Sequence, residues 1–223
     1  MLLARHSELG ETGRLGDPDA KRTSVRPNAL GGIMDQLGTL KFALDEFRGV
    51  VAMLDDSQMD TTTACAPWTV RQLASHAVNS QLLWVGILSG QDIVSMEDTM
   101  GAVPYEGDLV PITDDAVVRA LATWGAAGVL EGVQSTPFGD LPGSAVVNFP
   151  TIDALAHSWD ISTALGRSLE FAPESIPAIS AVVEAACTDA TREMGLFGAA
   201  TEPPADATET ERVMAAAGRT ITR

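Results

Sequence analysis

The sequence predicts an all-α fold, a four-helix bundle with a long crossover and extra C-terminal helices. Apolar residues recur at alternating spacings of three and four along several stretches. Cap and stop residues bracket those stretches. No convincing alternating run that would mark a strand appears between them.

Residues 1–33 show no apolar periodicity and are rich in Gly, Arg, Asp and Ser. They are expected to form a disordered N-terminal extension, with the helix bundle at 34–223. Met34 opens the first helical pattern, so a start codon there is expected to lose little. Leu37, Leu40, Leu44, Phe47, Val51 and Leu54 then follow at spacings of 3, 4, 3, 4 and 3, one face of a helix. Asp55 to Pro67 is a polar connection. Thr69 with Gln72 has the spacing of a capping box and opens a second helix, which runs to about Ser89 with Gly90 as its C-terminal cap. Its apolar stripe includes Leu73, Ala77, Trp84 and Leu88. After a loop with Pro104, Gly107 and Pro111, the run Thr113-Asp114-Asp115 predicts the start of a third helix, which ends near Val133. Ser135 to Phe149 contains Pro137, Gly139, Pro142 and Gly143 and reads as a long irregular crossover. Pro150 suits the first turn of a fourth helix that runs to about Leu165, before Gly166. A fifth helix is expected over Pro173 to Met194, and a last short one over Thr208 to Gly218.

Composition narrows the function. Asp and Glu number 30 against 14 Lys and Arg, a net charge of -16. Such a surface repels phosphate backbones and anionic lipid, so neither nucleic acid nor membrane is an expected partner. Residues 1–33 hold five basic and four acidic groups, a net of +1, which leaves -17 for 34–223. Cys65 and Cys187 are too few for a disulfide framework and read as small buried hydrophobes. No apolar run is long enough to span a bilayer, and the first residues lack the apolar region of a signal peptide. The expected location is the cytoplasm.

In helix bundles, sites are built from inward-facing polar side chains on neighbouring helices. Of the three histidines, His6 lies in the extension. His76 lies at the edge of the inward face of the second helix. On the fourth helix Asp153 and His157 are four residues apart, so they project about 40° from each other, one turn along. Two imidazoles and one carboxylate can bind a metal ion and leave coordination positions open. The same residues also read as two histidines buried and satisfied by hydrogen bonds, with Asp153 at the surface or paired with His157. Asp160 shares the face of Asp153 and His157 and either orients an imidazole or sits in solvent. Asn79, three residues after His76, reads as a surface position with the site face as the alternative, Arg71 as an exposed helix position with a substrate carboxylate as the alternative, and Trp68, Trp84, Trp124 and Trp159 as core rather than ligand-stacking residues.

Residues 34–220 resemble the metal-binding domain of the mycothiol-dependent maleylpyruvate isomerase family, within the wider DinB-like helix bundles. The matching runs are Pro67 to His76 (PWTVRQLASH), Thr136 to Gly139 (TPFG), Asp153 to Asp160 (DALAHSWD) and Glu211 to Arg219 (ERVMAAAGR). The resemblance implies that His76, Asp153 and His157 are the ligands of a divalent metal ion. It departs at Asp153, where the isomerase has Glu, and in the isomerase's C-terminal domain, which lies outside the matched region. What it carries over is the fold and a divalent-metal site. Zinc is the metal such donors suit best, with nickel, manganese or iron compatible by ligand type. The implied chemistry is activation of a low-molecular-weight thiol such as mycothiol, as cosubstrate of a transferase or isomerase. A non-catalytic metal-binding or interaction module is the alternative. The implied partners are the small-molecule thiol, an electrophilic substrate and, in principle, a second copy of the chain as a homodimer.

Overall fold

A computed structural model describes residues 34–65 and 67–222 of the chain. The expected extension at 1–33, with His6, lies outside the described residues. The first helix, α1 (Gln36–Val51), begins where the Asp35 carboxylate accepts the Gly38 N–H. Its predicted stripe is buried at Leu40, Leu44, Phe47 and Val51, with Leu37 and Leu54 packed at its ends. The second helix, α2 (Val70–Ser89), starts with the predicted capping box. The Gln72 N–H reaches Thr69 Oγ1 at 3.4 Å, and the Thr69 N–H reaches Gln72 Oε1 at 3.0 Å. Gly90 ends it with φ at +66°, a conformation glycine adopts without steric cost.

A short helix, α3 (Met96–Met100), fills part of the next loop. The helix after it, α4 (Leu109–Trp124), starts earlier and stops earlier than the sequence predicts. Asp108 takes the Val110 N–H, and Pro111 is tolerated because it falls in the first turn, where its missing N–H has no acceptor. Thr113, read as a cap residue, is instead 1% exposed inside the helix.

The crossover contains a hairpin that the sequence did not announce. Strands β1 (Val133–Thr136) and β2 (Gly139–Pro142) pair antiparallel, with Val133 opposite Pro142 and Thr136 opposite Gly139. Its four-residue strands are largely exposed and carry Gly and Pro, so neither length nor alternation betrays them. A single turn, α5 (Gly143–Val146), leads into α6 (Asn148–Ala164), with Pro150 in its first turn. The expected fifth helix is split into a 3-10 turn at Pro173–Ser175, α7 (Ile176–Ala186) and α8 (Asp189–Glu193). Cys187 leaves helical geometry, and Thr188 caps a new start by accepting the Thr191 N–H. The last helix, α9 (Glu209–Ala216), carries its own capping box, Thr208 with Glu211.

Four helices form the bundle. α1 packs on α6 and α4, α2 packs on α4 and α6, and α7 lies outside against α6 and α9. The central pair, α2 and α6, is buried on nearly every side, which is why their polar residues face protein rather than water. Among the described residues no helix is long and apolar enough to cross a membrane.

Candidate metal centre

The packing of α2 on α6 brings His76, Asp153 and His157 together. His76 Nε2 and His157 Nε2 each lie 3.4 Å from Asp153 Oδ1. The two imidazoles meet edge to face, with centroids 5.1 Å apart and planes at 81°. Both histidines are 7% exposed. Each ring is held from its far side. His76 donates Nδ1–H to the Thr99 carbonyl of α3 at 2.7 Å, and His157 donates Nδ1–H to Asp160 Oδ2 at 2.9 Å. Those acceptors keep the proton on Nδ1 and aim both Nε2 atoms at Asp153, the arrangement found behind metal-bound imidazoles.

The three donor residues fit a divalent ion. One atom from each lies within 4.8 Å of the others. Asp153 Oδ2 is fully buried and has no hydrogen-bond partner among the described residues, an unsatisfied charge that a cation would relieve. Burial alone would raise the Asp153 pKa, but the charges and hydrogen bonds of His157 and His76 overturn that and hold it well below the usual carboxylate range. Burial opposes a charged His157, yet Asp153 beside it, with further hydrogen bonds, lifts its pKa well above the ordinary 6.5.

Asp160 is the hub behind this triad and is 2% exposed, so it orients an imidazole rather than facing solvent. Besides His157, it accepts from Arg219 through Nε at 3.3 Å and Nη2 at 3.0 Å, and from the Cys65 thiol at 3.3 Å. Burial pushes its pKa up, but Arg219 and His157 bring it well below the ordinary value. Cys65, His157 and Asp160 form a second compact set of donor atoms, in which Asp160 already has a cationic partner in the Arg219 guanidinium.

Sequence reasoning missed several of these parts. Arg219 reaches Asp160 because α9 ends in a tight turn. The Gly218 N–H bonds the Ala215 carbonyl, and the Arg219 N–H bonds the Met214 carbonyl. Gly218 sits at φ +92° in that turn; the signals available in the sequence were this glycine and the matching run Glu211 to Arg219. The Thr99 carbonyl leaves no trace in side-chain chemistry. Cys65, read as structural, instead borders the site. Asn79 is 4% exposed and accepts from the Tyr105 hydroxyl, so it is neither at the surface nor at the site. Arg71 holds the loop carbonyls of Tyr105 and Gly107.

A cavity of about 580 Å³ opens onto the triad. Trp84, Trp159 and Trp124 are buried in the core as expected, and of these Trp84 and Trp159 also line the cavity, together with the partly buried Trp68. Trp68 lies against the His76 ring, centroids 4.7 Å apart.

The family model of the mycothiol maleylpyruvate isomerase N-terminal domain matches residues 40–162, more than half of the chain. The chain belongs to that family. The match includes His76, Asp153, His157 and Asp160 and stops short of Arg219. Two relatives from two strains of Mycobacterium tuberculosis, each named only as an uncharacterized protein, are 29% identical over 143 residues, 63% of this chain and 73% of theirs. Among solved structures, the mycothiol-dependent maleylpyruvate isomerase superposes with a TM-score of 0.53 at 14% identity, covering 66% of this chain and 68% of that one. A histidine-to-alanine mutant of that isomerase gives the same TM-score at 13% identity and the same coverage. At such identity the likeness establishes the fold, a DinB-like helix bundle.

Proposed function

We propose that this protein is a metal- and low-molecular-weight-thiol-dependent transferase or isomerase of the cytoplasm, with His76, Asp153 and His157 holding the ion and mycothiol or a similar thiol as cosubstrate. The observation that carries this reading is the convergence of two Nε2 atoms and one carboxylate oxygen at the wall of a cavity of about 580 Å³. Space beside the donors favours the catalytic reading over a closed metal-binding module. Zinc suits the donor set best.

A bound divalent ion supplies Lewis acidity, which lowers the pKa of a thiol placed against it and favours the nucleophilic thiolate. The chain's own residues prepare the position. Thr99 and Asp160 hold protons at the Nδ1 atoms, so that both Nε2 atoms face inward. Asp153 contributes the negative charge. Trp68 packs over the His76 ring and fixes its tilt. The aromatic side chains around the cavity lower the local dielectric, which strengthens each of these interactions.

The test is metal analysis followed by a thiol-conjugation screen. Purified protein takes up about one divalent ion per chain, and His157→Ala loses it. The loaded protein then accelerates attack of mycothiol on a model electrophile. A chain that accepts none of zinc, nickel or manganese defeats the reading.

A further inference from the structure

The cavity's remaining walls bear on what enters beside the thiol. Phe149 stacks on Trp84, centroids 6.0 Å apart and planes at 16°. Phe138, from the turn of the β1–β2 hairpin, continues this wall, 6.3 Å from Phe149. Trp159 also faces the space, and Trp68 closes it toward His76. Together they make a broad π-surface next to the triad.

The charges on the same walls are nearly all committed. Among the described residues Arg219 is the one Arg or Lys that lines the cavity. Two of its donors go to Asp160 and a third goes to the Ala217 carbonyl at 3.0 Å. Asp153 and Asp160 supply two negative charges. Arg219 answers one of them, and a divalent ion on the triad would leave a single positive charge over. One thiolate uses that charge up. A second substrate with two carboxylates would then enter a largely apolar space with no free cation to offset the loss of its hydration. The net charge of -16 on the chain further discourages a dianion at long range.

We propose that the electrophile this cavity takes is neutral and aromatic, not a dicarboxylate. The inference rests on the thiol-dependent reading above for the word electrophile. The preference for aromatic ligands rests on the walls, and the preference for neutral ones on the charge balance of the site with ion and thiol bound. In conjugation to an activated alkene of this class, the sulfur lone pair forms the C–S bond. The alkene π pair passes to the neighbouring carbon, which takes a proton from water. No oxidant or reductant is needed.

The experiment uses unreactive stand-ins. The full chain, zinc-free and zinc-loaded with a saturating simple thiol such as mercaptoethanol, is titrated with N-phenylsuccinimide and in parallel with succinate. Tryptophan fluorescence and calorimetry give the affinities, and metal content is measured on the same samples. N-phenylsuccinimide should bind saturably and at least about tenfold more tightly than succinate. Phe138 is 36% exposed at the hairpin turn, so Phe138→Ser can be made without opening the core. It should weaken the aromatic probe by about three- to tenfold and leave metal content unchanged. Trp84→Leu should weaken it as well. Succinate binding as tightly as the aromatic probe overturns the proposal, and so does an affinity that both variants leave intact. Ion uptake without ligand discrimination sinks the substrate class alone. Discrimination without ion uptake sinks the metal reading and leaves the cavity's preference standing.

Discussion

Asp160 controls the site without being one of its three donors. It fixes the proton on His157 Nδ1 and is itself fixed by Arg219. Asp160→Asn keeps the shape but weakens the acceptor, so ion affinity should fall about 10- to 100-fold while the fold persists. Competition with a fluorescent chelator measures this, and an unchanged affinity would show that His157 orients itself. The pKa shifts set a pH dependence of definite sign. His157 is raised, so its contribution to metal-free stability is complete below its ordinary 6.5 and fades as pH climbs through the folded value. Asp153 and Asp160 are lowered, so theirs is complete above 3.8 and is lost as pH falls through the folded values. The metal-free chain is therefore most stable between those limits. An ion must displace the His157 proton. At pH 7 uptake should release about one proton, and apparent affinity should rise about tenfold per pH unit until His157 deprotonates on its own. Calorimetry in buffers of different ionisation enthalpy reads the proton directly. Zero release would mean that His157 is neutral before the ion arrives.

At the scale of elements, local chemistry announces some pieces and hides others. The capping box at Thr69 and Gln72 was legible because both partners lie within one turn. Thr69→Ala should lower stability by about 0.5–2 kcal/mol in urea titrations. The hairpin was hidden because its pairing holds exposed, four-residue strands with no apolar face. The early start of α4 was hidden because Thr113-Asp114-Asp115 makes as good a cap by sequence as Asp108. Burial of Thr113 at 1% exposure decides between them. Where α9 ends, a Cβ on Gly218 would lie 2.7 Å from the Gly198 carbonyl oxygen, on a backbone at φ +92°. Gly218→Ala should therefore cost about 1–3 kcal/mol and pull Arg219 from Asp160. A lower melting temperature with a weaker metal site is expected. A lower melting temperature with an unchanged site would mean that Arg219 reaches Asp160 independently of this turn.

Across the whole molecule, the core and the site share the same two helices. Phe47 and Leu155 are 1% and 0% exposed. Phe47→Ala should cost about 3–5 kcal/mol and Leu155→Ala about 2–5, read from chemical denaturation. An ion held by α2 and α6 together binds only the folded chain. Saturation at about a hundred times the dissociation constant should add about 2.7 kcal/mol, which a chelator removes. For a chain of this size that is a fall in Tm of roughly 5–10 °C. What the sequence determined by itself was the all-α class, the order of the main helices and the three donor residues as candidates. Helical periodicity, caps and an i, i+4 pair are local patterns within a few residues of chain. The tertiary structure alone decided what stands behind and around those donors. The Thr99 carbonyl lies 23 residues from His76, and Arg219 lies 59 from Asp160. A backbone acceptor has no sequence signature, and a surface-like arginine acquires its role only when a turn carries it to a buried carboxylate. Likewise, no single helix shows whether a tryptophan on its apolar face will meet another helix or an open cavity, because the packing of its neighbours decides that.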